Sequence, residues 1–150
     1  MQKRLSSVMV VAVALLGVTS WMSAGEGEKG SSIVGSWTAK RGTNTMNLEF
    51  TKDFKFTLSK DRGEKPETFT GTYKTDSKAK PQTIDMTVTG GTSDEAEKFK
   101  GKVSLGIVKV EGDKLEWCAN EPGKDIRPKI FANKDDDNSF LYLVLERVKK

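Results

Sequence analysis

The chain has 150 residues, 35% hydrophobic and 31% charged, with 25 basic residues, 21 acidic residues and a formal charge of +4. That is the profile of one small globular domain, with no room for a second. It has no histidine and one cysteine, Cys118, which excludes a serine–histidine–acid triad, a histidine-held metal and a thiolate zinc centre.

The first 24 residues have the layout of a secretory signal peptide. Lys3 and Arg4 form a short cationic start, an apolar run follows from Val8 to Val18, and Ser23, Ala24 and Gly25 are small. The run is shorter than the about 20 apolar residues that a membrane span needs. Cleavage after Ala24 or Gly25 would export the chain to a periplasmic or extracellular place and leave no membrane span. Without Lys3 and Arg4 the remaining 126 or so residues carry 23 basic and 21 acidic groups. Lysines and acids alternate rather than segregate, so the surface reads as solvated and not as a nucleic-acid face. Residues 25–32 are polar and glycine-containing, and are expected to form a disordered leader.

From Ile33 onward apolar residues recur at period two, broken every eight to twelve residues by turn chemistry, which is the spacing of an all-β fold. The first strand is expected over residues 35–40, within Ile33-Val34-Gly35-Ser36-Trp37. Gly35 lets the chain turn in, and Trp37 supplies an indole large enough to plug one end of a barrel. Arg147, on the last strand, is expected to lie over that indole within about 6 Å. Residues 41–44 turn the chain. The second strand, 45–50, sets Met46, Leu48 and Phe50 on one face. A tight turn at Lys52-Asp53 leads to a third strand with Phe54, Phe56 and Leu58 facing inward.

Residues 61–66 read as a loop and 68–75 as the fourth strand, with Phe69, Gly71 and Tyr73 on one face. A glycine in mid-strand predicts a bend or the close approach of another backbone. After a second loop at 76–81, the fifth strand, 82–89, points Ile84, Met86 and Val88 inward and ends at Gly90-Gly91. Residues 92–100 break the alternation. Thr92-Ser-Asp-Glu95 resembles a helix capping box, so a loop with one or two helical turns is expected.

The sixth strand, 102–111, turns at Glu111-Gly112-Asp113 into the seventh, 114–120. There Leu115 and Trp117 share one face, and Glu116 and Cys118 the other. Residues 121–128, with two prolines and a glycine, form a loop, and 129–132 are expected to pair briefly. Residues 133–139 read as a turn. The last strand, 140–147, is apolar on both faces, so it is expected to be central or covered outside by another segment. Eight or so antiparallel strands in a single domain, 33–150, close into a barrel that is just filled by side chains or holds one small ligand.

Gly35-Ser-Trp37, Gly71-Thr-Tyr73 with Asp76, Lys80-Pro-Gln-Thr-Ile-Asp-Met86, Gly106-Ile107, Gly112-Asp-Lys-Leu115 with Cys118, Pro122-Gly123, Arg127-Pro128 with Phe131, and Leu143 to Arg147 resemble, in order, a small exported domain abundant in planctomycete bacteria. The Gly-x-Trp opening and the terminal-strand arginine also resemble the lipocalin barrel signature. The resemblance implies a lipocalin-like antiparallel barrel with Trp37 and Arg147 meeting at its closed end. The Thr-Asp-Tyr type middle motif and a disulfide pair are both missing, so lipocalin ligand transport does not carry over with the fold.

Chemistry narrows further by elimination. Asp85, Glu49 and Glu116 are of the right type for a glycosidase pair, but alternation turns them outward. Asp135-Asp136-Asp137-Asn138 lacks the glycine and distant glutamate of a helix-loop-helix calcium loop and reads as a solvated turn. Cys118 is expected to pack as a small hydrophobe, with a link between chains as the alternative. No cofactor or metal is expected. What remains is apolar: Leu48, Phe56, Leu58, Tyr73, Ile84, Met86, Trp117 and Leu143. These either line a pocket for a small apolar or amphipathic ligand or fill the core, and the small size of the barrel favours filling. The expected function is therefore non-enzymatic. It is ligand binding at the barrel mouth or, alternatively, presentation of loops 92–100 and 121–128 to an envelope protein or glycan.

Overall fold

The structure is a computed structural model that describes residues 32–63, 65–135 and 138–150. The expected signal peptide and residues 25–31 of the expected leader lie outside the described residues. Ser32, the last leader position, does not behave as a disordered residue. Its hydroxyl accepts from the Val34 amide at 3.2 Å and its carbonyl from Arg147 Nη2 at 3.1 Å.

Among the described residues ten strands and one helix follow in order: β1 Gly35–Arg41, β2 Asn44–Phe50, β3 Lys55–Asp61, β4 Glu67–Asp76, β5 Thr83–Gly91, α1 Asp94–Phe99, β6 Val103–Glu111, β7 Lys114–Ala119, β8 Lys134–Asp135, β9 Asn138–Ser139 and β10 Leu141–Arg147. Eight of them form a closed antiparallel barrel in the order β1-β10-β7-β6-β5-β4-β3-β2, while β8 and β9 make a separate small hairpin. Each long strand pairs with its neighbour in sequence, apart from β10, which passes the small hairpin to join β7 and then closes the seam against β1. Closure leaves no long strand with an unpaired edge. No described helix is long and apolar enough to cross a membrane.

Alternation explains the core. Trp37 of β1, Leu48 and Phe50 of β2, Phe56 and Leu58 of β3, Ile84, Met86 and Val88 of β5, Leu115 and Trp117 of β7, and Leu143 and Leu145 of β10 all point inward and are buried together. Gly71 supplies the close approach expected of it. The β4–β5 register shifts between Thr70 and Gly71, and a Cβ at Gly71 would run into the Thr87 carbonyl oxygen and the Phe56 ring.

Three local expectations need correction. Phe54 is not an inward strand residue: it has φ +60° and is 61% exposed. The β2–β3 register pairs Phe50 with Phe56, so the connection is longer than a two-residue turn. It is held by Thr51 N–H to the Lys55 carbonyl at 2.9 Å, and by Lys55 N–H to the Thr51 hydroxyl at 3.2 Å. The helix cap is Ser93 rather than Thr92, its hydroxyl accepting from the Ala96 amide at 3.2 Å. Thr92 instead ties the β4 start to the β5 end, accepting from the Thr68 amide at 3.0 Å. Residues 129–132 form no strand, and the pairing expected there falls at β8 and β9 within the predicted turn.

The outer face of the doubly apolar last strand is covered over its first half, at Phe140 and Tyr142, while Val144 is 44% exposed. Residues 121–133 form a strap across the outer face. It buries Ile107, Cys118 and Phe140 in a second cluster, with Phe131 and Tyr142 packed against it. Arg127 pins this strap: Nη1 donates to the Gly106 carbonyl at 2.7 Å and the Ile84 carbonyl at 3.4 Å, while Nη2 meets Asp85 Oδ1 at 2.6 Å.

Candidate functional site: a sealed end and a cavity

At one end the chain builds a plug. Trp37 is fully buried, and its Nε1–H donates to the Ile33 carbonyl at 2.8 Å. Trp37 and Arg147 are direct partners in the β1–β10 ladder. The guanidinium carbon lies 4.1 Å from the indole centroid, within the cation–π range. Arg147 Nη1 also donates to the Val34 carbonyl at 3.0 Å, and Nε lies 3.5 Å from Asp113 Oδ1. Gly35 has φ +135°, and a Cβ there would sit 2.8 Å from Arg147 Nη1. The positive φ is what requires glycine, and a Cβ would in addition displace the Arg147 guanidinium from its place. Gly35, Trp37 and Arg147 are thus brought together as the sequence predicts.

The opposite end carries α1 and the start of the strap. Ala96 and Phe99 turn their side chains into the core, so this short helix lies across the barrel mouth. Beneath and beside it is a cavity of about 520 Å³. Its barrel wall is Phe56 and Leu58 of β3, Phe69 of β4, Met86 and Val88 of β5, Ser104 of β6, Trp117 and Ala119 of β7, and Leu141 of β10. Glu95, Lys98 and Phe99 of α1 border it, as do Lys60, Asn120, Glu121, Pro122, Ser139 and Phe140.

Of the eight residues singled out by sequence, Phe56, Leu58, Met86 and Trp117 line this cavity. Leu48, Tyr73, Ile84 and Leu143 do not: they lie in the packed core. Tyr73 is instead drawn to the β2–β3 connection, where its hydroxyl donates to the Thr51 carbonyl at 2.8 Å and its ring meets Phe50 edge-on at 4.9 Å. The interior is therefore packed toward the sealed end and hollow toward the other, not uniformly filled. Sequence reasoning missed Phe69, Val88, Phe99 and Lys60. Phe69 and Val88 were legible from their alternation, and Lys60 continues the inward series Phe56, Leu58, but Phe99 depends on where α1 docks.

The wall is mostly apolar, and its polar atoms are mostly satisfied. Ser104 Oγ donates to the Asn120 carbonyl at 2.6 Å, and Asn120 Nδ2 donates to the Ile126 carbonyl at 2.8 Å. Trp117 Nε1 is the exception: it is buried and has no acceptor among the described residues. A sealed, unpaired donor costs about 1–3 kcal/mol.

Of the three candidate carboxylates, two are engaged away from the cavity and the third, Glu49, is exposed on β2. Asp85 is held by Arg127, and Glu116 Oε1 accepts from the Tyr142 hydroxyl at 2.6 Å. That bond, with burial, raises the Tyr142 pKa by favouring the neutral phenol. Burial likewise pushes the Cys118 thiol up, against a smaller opposing effect of the Ala132 backbone, and Sγ lies within donating distance of the Ala132 carbonyl, at 3.3 Å. Among the described residues no three metal-ligating side chains converge; Asp136 and Asp137 of the acidic run lie outside them. Comparison with models of known protein families, with curated proteins and with solved structures finds no match to this chain.

Proposed function

We propose that this is an exported, non-enzymatic barrel that binds a small amphipathic or apolar molecule in the cavity beneath α1. The observation that carries the reading is the cavity itself. Its 520 Å³ falls within the 300–1,000 Å³ typical of small-molecule sites, and its apolar wall with few polar groups is of the kind such sites share. It sits opposite the Trp37–Arg147 plug, so ligand entry and structural closure are assigned to different ends. The non-catalytic reading is supported by the engagement of Asp85 and Glu116 with Arg127 and Tyr142 on the outer face, away from the cavity. Export follows from the layout of the first 24 residues, and the resemblance to the exported planctomycete domain points the same way.

Native mass spectrometry of the protein purified from its own cells tests the reading. A reproducible adduct below about 400 Da, released by organic solvent, is expected. Protein that carries no adduct and takes up no alkyl-chain probe would overturn it.

A second reading is favoured by Ile126 and Ile130, which are 45% and 52% exposed on the strap. Apolar side chains presented by an anchored loop suit a module that contacts an envelope protein. Replacing both with serine would abolish such a contact while leaving cavity binding intact.

A further inference from the structure

The charges at the cavity mouth are held unequally. Lys60 follows Phe56 and Leu58 at an inward position of β3, so the pleat carries its stem along the inner wall. Its ammonium lies 4.7 Å from the centroid of Phe69, itself a wall residue. Among the described residues no carboxylate comes within 4 Å of it. Lys98 of α1 repeats the arrangement from the other side, with its ammonium 5.5 Å from the wall residue Phe99 and, among the described residues, no carboxylate within 4 Å. Of the acids at this end, Glu95 and Glu121 are exposed and rest on no aromatic ring of the wall, and Glu67, the cross-strand partner of Lys60, is half-buried and forms no ion pair with it. Two cations therefore sit where the apolar wall ends, each anchored on an aromatic face that helps to hold it there. An apolar chain lying against Phe56, Met86 and Trp117 would end beside them.

We propose that the cavity takes a single-chain amphiphile with an anionic head, the head meeting Lys60 and Lys98 and the chain running inward over Met86 toward Trp117. This rests on the cavity being a ligand site and adds the ligand's charge and orientation. The volume accommodates about 17 water-sized units of about 30 Å³ each. An imperfectly packed ligand of roughly 10–15 non-hydrogen atoms fits that space, which is the size of a ten- to twelve-carbon carboxylate.

The test is isothermal titration of the whole protein with decanoate, decyl sulfate, decan-1-ol and decyltrimethylammonium, all below their micelle concentrations. Decanoate and decyl sulfate are expected to bind at least tenfold more tightly than the alcohol and the cation, with an advantage that shrinks as salt rises. Lys60→Met is expected to remove most of that advantage while leaving decan-1-ol unchanged, and Lys98→Met to reduce it less. Because the ranking is read on the unaltered protein, it does not depend on either variant folding. Equal affinities for all four probes, or tightest binding of the cation through Glu95 and Glu121, would overturn the anionic-head proposal and leave the cavity reading standing. Absence of binding by every probe would overturn both.

Discussion

Trp37→Ala tests the plug most severely. The indole is fully buried, and a tryptophan buries about 150–250 Å², so the transfer contribution alone is on the order of 4–6 kcal/mol at about 25 cal/mol per Å². Some of it survives in the alanine methyl and some is recovered by collapse around the gap, which gives the 3–5 kcal/mol usual for such truncations. The change also strands the Ile33 carbonyl, which accepts from Nε1 at 2.8 Å, and removes the ring 4.1 Å from the Arg147 guanidinium. Those losses keep the expected value near the upper end, about 4–5 kcal/mol. A domain of this size has about 5–15 kcal/mol in all, so the variant should be marginal or unfolded. Trp37→Phe keeps an aromatic plug and loses the N–H bond, and should cost about 1–2 kcal/mol. Urea unfolding followed by far-ultraviolet circular dichroism reads both without relying on the tryptophan being removed. A loss below about 1 kcal/mol for Trp37→Ala would show that the indole does not seal the barrel.

Other perturbations probe the strap and the outer face. Arg127→Lys leaves one ammonium to replace a fork that reaches two carbonyls and Asp85; trypsin should cut at Lys129 faster than in the parent, and an unchanged rate would mean that Arg127 does not hold the strap. Tyr142 has its pKa raised in the fold, so its contribution is fully present below the unfolded tyrosine value of about 10 and fades as pH rises through the folded one. Tyr142→Phe should therefore be less stable than the parent near neutrality, with the gap narrowing above about pH 10; a gap that stays constant or widens would contradict the Glu116 bond. Cys118 is buried, with its thiol pKa raised by that burial; disulfide reagents should modify it only as fast as the protein opens, and labelling at the rate of a free thiol would refute its role as core.

The barrel was legible because its strands obey one simple rule, alternation, over runs of six to ten residues. The plug was legible because Gly35, Trp37 and Arg147 have a chemical reason to meet. Phe54 escaped because alternation continues through a turn without revealing where pairing stops; the long β2–β3 connection is set by hydrogen bonds of Thr51 that no pattern displays. Leu48 and Phe56 carry the same inward signature, yet only Phe56 reaches the cavity. Height along the barrel axis is a matter of strand register and stagger, which period two does not encode. Phe99 and Lys98 join the site only through the docking of α1, whose Ala96 packs where Gly91 leaves no room for a Cβ. Such a contact between distant segments leaves no local trace in the sequence.

The central claim is that the two ends of the barrel do different work, one sealing and the other binding. A proton–nitrogen correlation spectrum of the labelled protein, titrated with decanoate, reads both ends at once through the indole N–H groups. The Trp117 resonance, from a buried donor in the cavity wall with no acceptor among the described residues, should shift progressively to saturation, and the Trp37 resonance, bonded to the Ile33 carbonyl, should stay where it is. Movement of Trp37 with Trp117 unmoved, or no change in either at saturating decanoate, would contradict the account.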